Sequence, residues 1–299
     1  MTTPPLYDRD GFIWMDGKMV PWREASVHFL SHSLHYATGV FEGERVYNKK
    51  IFKSREHSER LKKSAEFIHL PLDISIETLE DIKQEVIEAN KLTNAYMRVL
   101  AWRGAEQMGV DPRGALPKIG VAAWDWGKYF DPKLAETGIS LGTSKWRKPA
   151  PDTAPIHSKA CSLYNMHSIA KVESINAGFT DALMHDFEGF VAESTGANLF
   201  AVKDGAIITP IADRFLNGIT RQTVIAIARD MGITVTEKRM KPEELLSVQE
   251  VFLTGTAAEI TAVGKIDNTT YGVGPITRKL RAAYSEFAAG SPIATAKTA

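Results

Sequence analysis

Apolar runs at Phe12-Ile13-Trp14 and Met19-Val20-Pro21-Trp22 flank Asp16-Gly17, which predicts two strands joined by a tight turn. Val27, Leu30 and Leu34 then recur at helical spacing and predict a helix that runs out at Thr38-Gly39. Val40 to Tyr47 reads as a strand, Asn48-Lys49-Lys50 as a turn, and Ile51-Phe52 as the return. Leu61, Ala65 and Ile68 share one face of a helix that opens at Ser54 and stops at Pro71. Leu79, Ile82, Val86 and Ile87 mark a second helix, and Ala95 to Trp102 and Ile119 to Trp124 two more strands. Hairpins interleave with helices, so the pattern predicts an α+β fold with much antiparallel pairing, not a doubly wound sheet.

The pattern divides the chain into a smaller N-terminal domain over 1–125, a connector over 126–137 that contains the Asp131-Pro132 turn signal, and a larger C-terminal domain over 138–299. The second domain starts with a strand near Ile139 and a proline-rich loop from Lys148 to Pro155. A helix from Ser162 to Ala177 follows, ended by Gly178. Strands are expected at Asp181 to Asp186, Phe190 to Ala192, Asn198 to Val202, Ile207 to Thr209, Ile233 to Thr236 and Glu250 to Thr254, with a helix from Thr220 to Met231. The small, polar tail from Gly290 reads as frayed.

Composition narrows the classes. The 299 residues carry 36 basic and 36 acidic side chains, so no net charge draws the chain to nucleic acid or an anionic membrane. The apolar fraction of 44% suits a globular core. Cys161 alone can form neither an internal disulfide nor a multi-cysteine zinc site. With no signal segment and no membrane span in the pattern, a soluble, cytoplasmic protein is expected. The phosphate loop, the H-E-x-x-H zinc motif and the G-x-S-x-G elbow are all absent, and Gly272-x-Gly274 lacks the third glycine of a dinucleotide fingerprint.

Two candidate chemistries remain. On the expected helix, His28, His32 and His35 would share one face as a three-nitrogen metal shell, or simply bond to backbone and to each other. Lys159 is the only basic residue within Ala154 to Tyr164, where desolvation would favour an imine-forming amine; otherwise it is an ordinary loop lysine. Asn217-Gly218-Ile219-Thr220 enters a helix and Gly255-Thr256-Ala257-Ala258 follows a strand, and both offer free N–H groups to a phosphate. Glu193 stands at a strand-to-turn junction. An amine, two anion cradles and a carboxylate are the parts of a pyridoxal phosphate site.

These segments resemble fold-type IV pyridoxal-phosphate enzymes, specifically the bacterial branched-chain amino acid aminotransferases. The resemblance spans almost the whole chain: Ser31 to Tyr36, Val40-Phe41-Glu42-Gly43, Arg55 to Leu61, Tyr96-Met97-Arg98, Ser158-Lys159-Ala160 with Tyr164, Glu193 with Gly196 to Phe200, Gly218 to Arg221, and Gly255 to Thr261. It implies a two-domain α+β enzyme with pyridoxal 5′-phosphate at the domain interface and no metal. It makes Lys159 the imine-forming lysine and proton shuttle, and Glu193 the partner of the pyridine nitrogen. Arg60 would hold the phosphate with Ile219, Thr220 and Thr256, while Asn198, Leu216 and Gly218 complete the cofactor contacts. Tyr164 would bond the ring's phenolic oxygen.

For the substrate, the same resemblance assigns the α-carboxylate to Tyr96 and the backbone of Gly255, Thr256 and Ala257. Tyr36, Phe41 and Trp126 would wall the apolar pocket, and Arg98 would receive glutamate's distal carboxylate. The implied reaction exchanges amino groups between Leu, Ile or Val and 2-oxoglutarate in a homodimer or trimer of dimers. Within the fold, the alternatives are a D-amino-acid or (R)-amine transaminase and an aminodeoxychorismate lyase. Outside it stands a metal- or metabolite-binding protein built on the histidines. Glu44, Val99 and the segment from Trp102 to Met108 depart from the family's commoner pattern. In the family that segment reaches into the neighbouring subunit's pocket.

Overall fold

The computed structural model describes residues 5–127 and 129–290, so Lys128 of the connector and the tail past Gly290 lie outside the described residues. The chain forms two compact units: Met1–Gly127 with Ser158–Leu163, and Lys128–His157 with Tyr164–Ala299.

The first unit contains β1 (Phe12–Met15), β2 (Lys18–Pro21), α1 (His32–Tyr36), β3 (Gly39–Tyr47), β4 (Lys50–Ile51), α2 (Ser54–Phe67), α3 (Ile76–Ala89), β5 (Ala95–Arg103) and β6 (Pro117–Trp124). Its six strands form a fully antiparallel sheet in the order β2-β1-β6-β5-β3-β4. The β1–β2 turn holds Asp16 and Gly17 at φ of 44° and 94°, the paired left-handed conformations such a tight hairpin needs. On α3 the Ser75 hydroxyl caps the helix by accepting from Thr78 N at 2.9 Å.

Alternation along β3 and β5 sorts structure from chemistry. Val40, Val46, Met97, Val99 and Ala101 join Leu61 and Ala65 of α2 and Leu79 and Val86 of α3 in one core. Glu42 and Glu44 lie on that same strand face, where each meets a cation. Glu44 and Lys83 of α3 are both fully buried and pair at 2.9 Å. Lys83 Nζ also donates to Ser58 Oγ at 2.6 Å and to Glu80 at 3.0 Å. The Glu44 departure is thus matched by a lysine from helix α3. Phe41, Gly43 and Arg45 take the opposite face with their cross-strand partners Leu100, Arg98 and Tyr96.

The helix expected from Val27 is shorter than its periodicity suggests. Only His32–Tyr36 is helical, and Ala37 at φ 52° ends it. Val27, Phe29, Leu30 and Leu34 are all exposed, so no burial rewards helix formation upstream of Ser31.

The second unit contains β7 (Ile139–Arg147), α4 (Cys161–Asn176), β8 (Asp181–His185), β9 (Val191–Ser194), β10 (Asn198–Lys203), β11 (Ala206–Pro210), α5 (Ile219–Asp230), β12 (Val235–Lys238), β13 (Glu250–Gly255), β14 (Glu259–Ile266), β15 (Thr269–Thr270) and α6 (Pro275–Ala288). The first three residues of α4 belong to the first unit. The strands run β12-β11-β10-β13-β14-β7-β8-β9, with β15 on β14. A further β9–β10 pairing closes six of them into a ring. Leu141, Leu199, Leu253 and Val263 are fully buried in its core. Phe200 and Phe252 stack at 5.0 Å between paired positions of β10 and β13. β14 and α6 add to the elements expected from the hydrophobic pattern.

Candidate active site

Within the first unit, Lys159 is fixed by its backbone before its side chain is considered. Its N–H donates to the buried Ser64 Oγ of α2 at 2.9 Å, and its carbonyl accepts from Phe41 N at 3.1 Å. Val40 and Ala160 form a β-bridge beside it. The ammonium lies 4.7 Å from the centre of the Phe41 ring. Although Lys159 keeps some exposed surface, burial and the nearby Arg60 guanidinium bring its pKa down to about 8, against the opposing pull of Glu42. That is the amine required for imine chemistry near neutral pH.

Arg60 is aimed by a buried carboxylate. Its Nε and Nη2 donate to Glu42 Oε1 and Oε2 at 2.7 and 2.8 Å, and His57 Nδ1 donates to Oε2 at 2.7 Å. Burial opposes ionisation, but Arg60 and His57 hold the Glu42 carboxyl far below its usual range. The two parallel bonds fix the guanidinium plane.

On the same unit's other strand face, Arg98 lies over Phe41 at 4.6 Å and donates to the Tyr96 hydroxyl at 3.2 Å. Tyr96 packs edge-on against Trp124 and Trp126 at 5.3 and 4.5 Å. Gly43 makes room for it, since a Cβ there would come within 2.0 Å of the Tyr96 hydroxyl. The structure therefore brings Phe41, Tyr96, Arg98, Trp126 and Lys159 into one neighbourhood. Tyr36 stands at the end of α1, half-exposed and tilted onto His32 at 4.7 Å.

Within the second unit, Glu193 on β9 is buried and held from two sides. Lys148 Nζ donates to Oε1 at 2.6 Å and Asn198 Nδ2 to Oε2 at 2.9 Å. Asn198 also donates to Leu216 O at 3.1 Å and accepts from Gly218 N at 3.2 Å. One amide therefore links the carboxylate to the turn that caps α5. Gly218 is the N-cap of α5, and a Cβ there would fall 2.3 Å from Asn198 Oδ1. Ile219 and Thr220 open the helix, so their N–H groups lack partners within it and carry the positive end of its dipole. Gly255 ends β13, and Thr256 and Ala257 form the turn into β14. A Cβ on Gly255 would approach Gly196 O at 3.2 Å. Tyr164 packs edge-on against His167 at 5.0 Å.

The histidines build no metal shell. His28 lies outside α1 and accepts from Leu30 N at 3.1 Å. His32 bonds Thr38 Oγ1 and Gly109 O, and His35 bonds Phe29 O. Each ring is committed to local contacts, and no group suited to a metal ion occurs among the described residues. Burial pushes the Cys161 thiol up, which is the wrong direction for a nucleophile.

Glu42, His57, Ser64, Lys148 and His167 escape a reading based on local sequence. Of these, Glu42 inside the Phe-Glu-Gly motif and His57 inside the Arg55 to Leu61 segment carry a recognisable signal. Taken unit by unit, the donor types suit pyridoxal phosphate: a depressed amine and an oriented guanidinium in the first, a buried carboxylate and two turns with tight glycines in the second.

Residues 39–266 match the family model of amino-transferase class IV. The chain is 37% identical to the branched-chain-amino-acid aminotransferase of Pseudomonas aeruginosa, across 98% of this chain and 97% of that protein. A branched-chain amino acid aminotransferase from T.th., solved with pyridoxamine 5′-phosphate, superposes with a TM-score of 0.91 at 40% identity, covering 95% of this chain and 96% of that one. The same T.th. enzyme, complexed with N-(5′-phosphopyridoxyl)-L-glutamate, gives a TM-score of 0.90 at 39% identity, with the same coverage of both chains.

Proposed function

The chain belongs to the class IV aminotransferases, with the α+β fold-type IV architecture, and on that premise we propose that it exchanges amino groups between branched-chain L-amino acids and 2-oxoglutarate. Pyridoxal 5′-phosphate is its cofactor on this reading, and the two sets of residues described above serve it together. When bound, that cofactor supplies an electron-poor ring that accepts the electrons left by Cα deprotonation.

The chain's own residues supply the rest. Lys159, with a pKa of about 8, has an unprotonated fraction near neutral pH and carries the proton taken from Cα. Glu42 and His57 orient Arg60 toward the phosphate, which the N–H groups of Ile219, Thr220 and Thr256 also receive. Glu193 keeps the ring nitrogen protonated, and Tyr164 bonds the phenolic oxygen. Tyr96 and the Gly255-Thr256-Ala257 backbone take the substrate α-carboxylate. Phe41, Trp126 and Tyr36 wall the side-chain pocket.

The observation that carries the substrate assignment is Arg98, a cation set against an aromatic wall beside the reactive amine. Such a pocket takes an apolar side chain in one half-reaction and a carboxylate in the other. A donor panel of L-Leu, L-Ile, L-Val, D-Ala and an (R)-arylamine against 2-oxoglutarate tests it. Turnover of the three L-amino acids is expected. Preference for D-Ala or the arylamine replaces the substrate assignment, and carbon–nitrogen lyase activity without transamination replaces the reaction.

The active form on this reading is a homodimer or a trimer of dimers. Phe29, Leu34, Val110 and Leu116 are all exposed, and His32 Nε2 bonds Gly109 O at 2.7 Å. The bond ties the α1 region and the 106–116 loop into one apolar surface for a second copy. Among the described residues no helix is long and apolar enough to cross a membrane, and we place the enzyme in the cytoplasm.

A further inference from the structure

Lys148 follows β7 directly, and its N–H donates to His185 O at 2.8 Å. Its side chain is buried with Glu193 and His167. The ammonium donates to Glu193 Oε1 at 2.6 Å and to His167 Nε2 at 2.8 Å. Accepting this bond at Nε2 requires an imidazole that is neutral, with its proton on Nδ1. His167 therefore anchors the ammonium without adding a negative charge. The positive charge of Lys148 balances the carboxylate of Glu193 before any cofactor is present.

We infer that Lys148 is a positioning residue that shares the Glu193 carboxylate with the cofactor's ring nitrogen, and so loosens that nitrogen's hold on its proton. The inference rests on the assignment of Glu193 above. A carboxylate facing a pyridinium alone attracts its proton with a full charge. Here an ammonium already lies 2.6 Å from one oxygen, and Asn198 Nδ2 donates to the other at 2.9 Å. Repulsion between two cations on one buried carboxylate lowers the ring nitrogen's proton affinity, and the low dielectric enlarges the effect. Lys148 thereby sets how strongly the ring draws electrons.

The test compares two ligands of the apoprotein: pyridoxal 5′-phosphate, and its analogue with carbon in place of the ring nitrogen. Dissociation constants for both, read by absorbance or fluorescence titration, give a preference ratio that needs no turnover. Lys148→Gln keeps an amide donor to Glu193, so the carboxylate is not left bare. Its preference for the nitrogen-containing ligand is expected to rise about fivefold or more, since the competing cation is gone. Lys148→Met should raise it as well, while Lys148→Arg, which keeps the charge, should match the wild type. Equal weakening of both ligands in Lys148→Gln, with the ratio unchanged, would show a purely structural lysine and overturn the inference. Glu193→Gln separates the two layers of argument, and its ratio should fall toward unity. If it does not, the assignment of Glu193 itself is wrong, and this inference falls with it.

Discussion

Replacing Arg98 by Met should divide the two half-reactions. The guanidinium donates to the Tyr96 hydroxyl, its Nε has no partner, and among the described residues no carboxylate pairs with it. A structural ion pair therefore does not explain the arginine. With glutamate or 2-oxoglutarate bound, it would make charge-assisted hydrogen bonds to the distal carboxylate, each worth about 1.5–3 kcal/mol. Met leaves that carboxylate facing Phe41 and Trp126. Two such bonds, less the partial hydration that a half-buried group retains, give a loss of about 2–4 kcal/mol for glutamate, or about 30- to 900-fold. With leucine bound, Arg98 has no anion to meet. Its contact over Phe41 at 4.6 Å, worth about 0.5–1 kcal/mol, and its hydrogen bond to the Tyr96 hydroxyl are lost with either substrate and cancel in the comparison. Single-turnover absorbance changes of the bound cofactor, recorded separately with L-Leu and L-Glu, measure both numbers. Equal losses for the two substrates would refute the reasoning and return Arg98 to a structural role.

Lys159→Ala should fold yet lose turnover with every donor, because one amine both forms the imine and moves the proton; circular dichroism and coupled assays check both points, and near-normal activity would end the assignment. Glu193→Gln should still bind cofactor but slow the L-Leu half-reaction by at least about tenfold, or ~1.4 kcal/mol, and a wild-type rate in stopped flow would contradict it. Lys83→Met leaves the fully buried Glu44 without its cation and should cost about 3–5 kcal/mol of stability, whereas Lys83→Met with Glu44→Leu should recover most of it. Urea unfolding of these two variants and of Glu44→Leu alone gives the coupling energy, and additive losses would deny it. Burial already pushes the Glu44 carboxyl up, so the single-variant loss is present in full above its folded pKa and shrinks as pH falls through that value and Glu44 takes a proton.

The sequence discloses some elements and hides others for definable reasons. Helix α2 is legible because Leu61 and Ala65 repeat on one face and do reach a core. The Val27 periodicity misleads because its apolar side chains remain exposed, so spacing alone carries no packing energy. Helix α6 has a readable signal in Pro275 at its first turn and in buried Thr277, Leu280 and Tyr284, though it lies beyond the segments with obvious chemistry. At the site, Lys159, Arg60, Glu193 and Arg98 stand in ordered motifs. Their supports do not: Lys148 reaches Glu193 from 45 positions away in sequence and His167 reaches Lys148 from 19, through tertiary packing that local patterns cannot express. The Glu44–Lys83 pair hides likewise, since Glu44 looks like a departure from the family pattern until its partner on α3 is seen.

Asn198 has a consequence that reaches past its own hydrogen bonds. One rigid amide fastens the Glu193 carboxylate at one end and the Leu216–Gly218 turn at the other. On the proposed reading these are the contacts for the ring nitrogen and for the phosphate, the two extremities of one small molecule. The side chain thus acts as a ruler that holds the distance between them. A ligand with the right ring but the wrong reach to its phosphate would satisfy one extremity only by pulling the other out of register. The length of the cofactor is thereby selected as well as its chemistry.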